Sequence, residues 1–173
     1  AGAAAARFAS EHADTAVNDD EAAAIEAAAL APLERSSGES PYAIQHELQD
    51  IMQALVGIAR VQDELEQAVD RIEQLRRRAA LTSAEGNRQY NPGWHTALDL
   101  PNLLAVAEAV ARSAAGRAES RGAHSRVDHP DKDEHLGTVN TIVRRGADGS
   151  METAHVPVVG ATPDLQAIVE EMG

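Results

Sequence analysis

Two apolar stripes at helical spacing constrain this chain more than anything else in it. Ile44, Leu48, Ile51, Met52 and Leu55 recur three and four residues apart, and Val61, Leu65, Ala68, Val69, Ile72 and Leu75 repeat the pattern one helix later. Each set lies on one face of an α-helix, so each face needs a partner. Gly57 marks the break between them, and Gln62-Asp63-Glu64 puts acids at a fresh helix start. Ser40-Pro41 opens the first helix with a hydroxyl able to cap it and a proline at its first position. Arg76-Arg77-Arg78 closes the second with charges suited to the negative end of the dipole. A sustained coiled coil needs about three or more heptads, so these short stripes predict two helices of a bundle.

A third helix is expected from Asp99-Leu100-Pro101, after a loop over 82–97 with Asn91-Pro92-Gly93 as its turn and Trp94 as its apolar anchor. Its stripe is Leu103, Val106, Ala107, Val110, Ala114 and Ala118, and Ala111, Ala115 and Gly116 allow a neighbour to come close. Ahead of the bundle, Asp19-Asp20-Glu21 starts a helix over 19–35 that Pro32 weakens near its end, and Ser36-Ser37-Gly38-Glu39 is a turn. Residues 1–12 have the pattern of a helix end that decays through Ser10, Asp14 and Asn18. The chain opens AGAAAARF without methionine, which suggests a piece of something longer. Beyond the bundle, Thr138–Val143 alternates as a strand, Gly146-Ala147-Asp148-Gly149 turns, and Met151–Val159 returns. Such a hairpin is marginal alone and should lie on another surface. Residues 164–173 form a short helix or a frayed tail. The expected fold is mainly α: a three-helix bundle followed by an extended tail with a small β-hairpin.

With 173 residues, one core is expected. A net charge of -13 argues against nucleic acid or an anionic membrane surface as a partner. Cysteine is absent, which removes disulfides, thiolate metal sites and a cysteine nucleophile. Aromatic content is 2%, so the core is built from Ala, Leu, Ile and Val and offers little for stacking on rings. No apolar run is long enough to span a bilayer, and the Ala-rich start lacks the basic region of a signal peptide.

Polar chemistry concentrates in Arg117-Ala118-Glu119-Ser120-Arg121-Gly122-Ala123-His124-Ser125-Arg126. Ser120, His124 and Asp128 have the residue types of a triad, but no nucleophile-elbow sequence surrounds them and Gly122 breaks the helix that would align them. His124, His129 and His135, with Asp128, Asp131 and Asp133, match neither a helix-face metal pair nor a calcium loop. Arg117, Glu119, Arg121 and Arg126 leave two readings: solvated charges at a helix end, or forked guanidinium groups holding carboxylates and carbonyls of an adjoining domain, with Gly122 allowing close approach.

The stretch RAESRGAHSRVDHPDKDE resembles the C-terminal region of the flavoprotein subunit of succinate dehydrogenase and fumarate reductase, as do SPYAIQHELQDIM, VQDELEQAVDRIEQL and the helix from Leu98 to Ala115, in the same order. The resemblance implies a spectrin-repeat-like three-helix bundle over 19–121, with 1–18 as the close of an FAD-domain helix plus linker and 122–173 as the tail. It implies FAD bound by the preceding domain. The family's flavin-linking histidine, substrate-binding arginines and proton-donating arginine fall in those earlier domains, so no catalytic, cofactor-binding or metal residue is expected here. Arg117, Glu119, Arg121, Gly122, His124 and Arg126 become a structural interdomain motif. The implied partners are the FAD-binding domain, an iron–sulfur subunit and membrane anchor subunits, in a complex peripheral to the cytoplasmic side of the membrane. L-Aspartate oxidase shares R-x-E-S-R-G but typically finishes soon after it, whereas this chain continues through strand, turn and strand. A free-standing, non-enzymatic helical interaction module is the reading from another class.

Overall fold

In the computed structural model, which describes residues 1–12 and 17–172, the elements follow in the order α1 (Gly2–Glu11), α2 (Asp19–Glu34), α3 (Pro41–Leu55), β1 (Ala59–Arg60), α4 (Gln62–Ala79), α5 (Pro92–Ala115), β2 (Ser125–Arg126), a 3₁₀ turn (Leu136–Thr138), β3 (Val139–Arg145), β4 (Met151–Pro157) and α6 (Pro163–Met172). Helices α3, α4 and α5 pack on one another as a three-helix bundle. Its core takes Ile44, Leu48 and Ile51 from α3, Leu65, Ala68, Ile72 and Leu75 from α4, and Leu100, Leu104, Ala107, Ala111 and Ala114 from α5. The two stripes read from the sequence are thus the buried faces of α3 and α4, with Met52 and Val69 packed at the margin. Alanine at Ala68, Ala107, Ala111 and Ala114 lets the helices approach closely where leucine would hold them apart.

The third helix departs from expectation in two ways. It starts at Pro92 rather than Asp99: the buried Asn91 caps it, its side-chain oxygen accepting from Trp94 N–H at 2.9 Å while its amide donates to the carbonyls of Glu85 and Asn87. Asn-Pro is therefore a cap followed by a first-turn proline, and the loop is correspondingly shorter. Pro101 lies inside the helix, where it removes one backbone donor. The inward face also differs, since Leu103, Val106 and Val110 of the expected stripe are exposed and Ala97, Leu100, Leu104, Ala107 and Ala111 point inward. Ala118 lies beyond the helix end and is exposed.

Smaller departures have local causes. Ser40 makes no side-chain cap although Pro41 does open α3. Pro32 does not end α2, which continues to Glu34; the ring is buried and its carbonyl accepts from Ala84 N–H at 2.7 Å. That end of α2 is further fixed by Trp94 Nε1–H to the Ala29 carbonyl at 2.7 Å and Arg35 to the Thr82 carbonyl at 2.7 Å. The arginine run reaches across helices rather than only facing a dipole: Arg76 pairs with the buried Glu108 of α5, and Arg78 with Glu39 and Glu47. Asp14, in the expected decay of the first helix, lies outside the described residues.

The tail forms the expected hairpin, β3 and β4 pairing antiparallel from Val139 opposite Pro157 to Arg145 opposite Met151. Gly149, at φ +84°, closes the turn. Both strands lie against α5, and the chain ends in the helix α6. Among the described residues no helix is long and apolar enough to cross a membrane.

Candidate interdomain junction

Helix α5 stops at Ala115 because Gly116 caps it and the chain then folds back on itself. Arg121 and His124 exchange backbone hydrogen bonds at 2.8 and 3.0 Å across a tight turn. Gly122 occupies that turn at φ +59°, where a side chain would cost about 1 kcal/mol. Space around its missing Cβ is open, so this glycine serves the backbone turn. Ser125–Arg126 then pairs in parallel with Ala59–Arg60, a two-residue ladder that ties the segment after α5 to the link between α3 and α4.

Arg126 is buried at 1% exposure and is the hub of this junction. Its Nη1 donates at 3.1 Å to the carbonyl of Ala114 in the last turn of α5, which also accepts from Arg117 N–H at 3.3 Å, and at 3.3 Å to the carbonyl of Arg117 just beyond the helix. Its Nε and Nη2 donate to the two carboxylate oxygens of Asp128, each at 2.8 Å, and Nη2 also reaches Gln62 Oε1 at 2.8 Å. Asp128 in turn accepts from Gln62 N–H at 2.9 Å, at the first turn of α4. One ion pair therefore joins the negative end of α5 to the positive end of α4, with each charge on the side its dipole favours. The Arg126 fork, aided by the Gln62 N–H, holds the Asp128 carboxyl well below the usual carboxylate range.

Glu119 is the second buried charge, at 0% exposure. It accepts from Arg117 Nε at 2.8 Å, Arg121 Nε and Nη2 at 3.0 Å, and Asp133 N–H at 2.8 Å. Arg121, then the Asp133 N–H and Arg117, hold its carboxyl down to about 2 against the opposing effect of burial. The same arginines extend to the tail, Arg117 to the Leu136 carbonyl at 2.5 Å and Arg121 to that of Asp133 at 2.9 Å. Gly137 makes room: a Cβ there would lie 2.8 Å from Arg121 Nη2.

His124 bridges the two charged clusters. Its Nε2 faces the Arg117 carbonyl at 2.8 Å and so donates, whereas Nδ1 faces Arg60 Nη1 at 2.8 Å and so accepts. Arg60 meanwhile caps α3 through the Val56 and Gly57 carbonyls. All six residues of the motif are thus brought together with Arg60, Gln62, Asp128 and Asp133, and the carboxylates and carbonyls they hold belong to their own chain. Arg60 and Gln62 carry no sequence signal, because only the β1–β2 ladder brings them within reach. Gly137 likewise depends on a long-range approach.

The triad types do not converge. The Ser120 hydroxyl accepts from Arg126 N–H at 2.8 Å and donates to the His129 carbonyl at 2.9 Å, and the His124 and Asp128 partners are those just described. Among the described residues no group of three or more His, Asp or Glu side chains is arranged to hold a metal ion. Ion pairs that engage both carboxylate oxygens of Glu119 and of Asp128 hold the backbone in place.

Comparison with known proteins agrees with this architecture. A fumarate reductase flavoprotein subunit of Mycobacterium tuberculosis is 34% identical over 122 residues, covering 70% of this chain and 21% of that protein. An L-aspartate oxidase of Streptomyces coelicolor is 35% identical over 104 residues, a shorter span covering 60% of this chain and 18% of that protein. Among solved structures, Mycobacterium smegmatis Sdh1 in complex with UQ1 superposes with a TM-score of 0.85 at 38% identity, covering 98% of this chain and 29% of that one. The chain spans about a fifth of the length of the curated relatives it matches. Residues 45–166 match the family described as fumarate reductase flavoprotein C-term, and the chain belongs to that family, the C-terminal region of succinate dehydrogenase and fumarate reductase flavoprotein subunits.

Proposed function

We propose that this chain is the C-terminal helical domain of a respiratory flavoprotein subunit that interconverts succinate and fumarate by hydride transfer to FAD. Electrons would pass from the flavin to an iron–sulfur subunit and quinone, in a complex held by membrane anchor subunits at the cytoplasmic side of the membrane. FAD is bound by the preceding domain. Residues 1–18 are the end of that domain's last helix and a linker, 19–121 the bundle and 122–173 the tail. The role of the segment itself is to brace the FAD domain.

The observation that carries this reading is the junction at Arg126 and Glu119. Two ion-paired clusters, each built on one buried charge (Arg126 and Glu119) with partly exposed partners, fix the end of α5, the start of α4 and the tail in one geometry, as a rigid support requires. Arg117, Glu119, Arg121, Gly122, His124 and Arg126 serve the interdomain contact by setting that geometry. An L-aspartate oxidase would share the bundle, but continuation of the chain into β3 and β4 favours the respiratory subunit. The test is direct: the coding sequence upstream of Ala1 should encode a dinucleotide-binding glycine motif, and the purified full-length subunit should carry flavin and reduce or oxidise the succinate–fumarate pair. In that subunit Arg121→Ala should weaken flavin retention and leave the reaction's substrate preference unchanged. Absence of an upstream flavin domain, or unchanged flavin content and stability in the variant, would sink it.

A further inference from the structure

Where the hairpin turn meets the end of α4 and the middle of α5, the chain encloses a cavity that the charged junction does not use. Its volume is about 640 Å³, within the range of small-molecule sites. Ala79 and Ala80 at the end of α4, Pro101 and Ala105 on α5, and Val143 and Met151 of the hairpin give it apolar walls. The short side chains of the three alanines leave the space open. Charge enters with one sign only: Arg76, Arg144 and Arg145 line the cavity and no carboxylate does. Two of these are already paired, Arg76 with Glu108 and Arg144 with Glu152 at 2.9 Å. Arg145 has no carboxylate partner among the described residues, and its guanidinium lies beside the turn, 3.6 Å from where a Cβ on Gly149 would stand. Acids are plentiful in this chain, 28 against 15 Lys and Arg, yet none is placed at this mouth.

We infer that this cavity is a binding site for an amphipathic carboxylate, an apolar chain whose single acidic head pairs with Arg145. Apolar walls favour a hydrocarbon over a sugar or nucleotide, whose hydroxyls would be buried there without partners. A single head follows from the pairing, since a second anionic group would have to displace Glu108 or Glu152 from its arginine. Three guanidinium groups at the wall repel an ammonium head. The site is separate from the succinate–fumarate chemistry and does not rest on that reading.

The test is titration calorimetry with decanoate, below its micellar concentration, on the full-length protein that carries this chain. One decanoate site is expected that Arg145→Ala weakens about ten-fold, as loss of a charge-assisted hydrogen bond should, and that Ala105→Trp removes by filling the cavity. Arg77→Ala is the control, because Arg77 pairs with Glu73 outside the cavity, and it should bind as the wild type does. Decylammonium, the same chain with the opposite charge, should not bind. Should Ala105→Trp lower the thermal midpoint, Arg145→Ala on the exposed hairpin decides alone. Absence of decanoate binding, binding that Arg145→Ala leaves unchanged, or equal binding of decylammonium would overturn the assignment. So would Arg145-dependent recruitment to phosphatidylglycerol vesicles without uptake of free decanoate, which would make this arginine a membrane contact.

Discussion

Helices α4 and α5 lie side by side in one bundle, yet their outer faces are built for different surroundings. Away from the core, α4 shows Asp63, Glu64, Glu66, Gln67, Asp70, Glu73, Gln74 and Arg77, all exposed. The corresponding side of α5 shows Leu103, Val106 and Val110. The first helix is finished by this chain, with one face buried and the other hydrated. The second leaves a further apolar stripe exposed beside its core-facing side. The charged junction at Arg126 couples the two helices end to end.

Cutting that coupling should have the largest effect. Arg126→Ala removes a buried side chain that donates to Asp128, Gln62 and the Ala114 carbonyl, and should cost about 3–5 kcal/mol in urea unfolding of the intact subunit. A loss below about 1 kcal/mol would show that the helices are coupled by apolar packing alone. Next come the inner faces, where α4 and α5 should behave alike: Ile72→Ala and Leu104→Ala, both fully buried, should each cost about 2–5 kcal/mol. A near-silent Leu104→Ala would mean that α5 is not part of the core.

Acid should give a smaller, graded loss. Glu119 has a carboxyl lowered from 4.5 to about 2 in the folded chain, so its contribution is complete above the unfolded value and is lost as pH falls from about 4.5 toward about 2. Asp128, lowered by Arg126, shifts in the same direction. Stability measured down that window should fall in the wild type and fall less in Glu119→Gln, which starts lower. Identical pH profiles would remove Glu119 from the junction. Least affected should be Gln67→Ala on the wet side of α4, within about 0.5 kcal/mol of wild type, as checked by the thermal midpoint.

The difference between the two helices also explains what was legible in the sequence. Periodicity identified the inner faces of α3 and α4, because Ile44, Leu48, Leu65 and Ile72 stand alone among polar neighbours. In α5 it selected Leu103, Val106 and Val110, since two apolar faces give no contrast and the bulkier outer residues outweigh the alanines that line the core. The helix start was misplaced because Pro101 resembles a first-turn proline, whereas Asn91-Pro92 is the pair that caps. In the junction, Arg117, Glu119, Arg121, His124 and Arg126 could be gathered from one short stretch. Their partners Arg60 and Gln62 could not, because they arrive through a parallel pairing more than sixty residues away in sequence.

The most direct measurement is hydroxyl-radical labelling of the two outer faces in the intact flavoprotein subunit, with Val106 and Val110 compared against Gln67 and Gln74. Protection of the α5 valines beside full labelling of α4 is the expected result. Equal labelling of both helices would mean that α5 faces water and braces nothing.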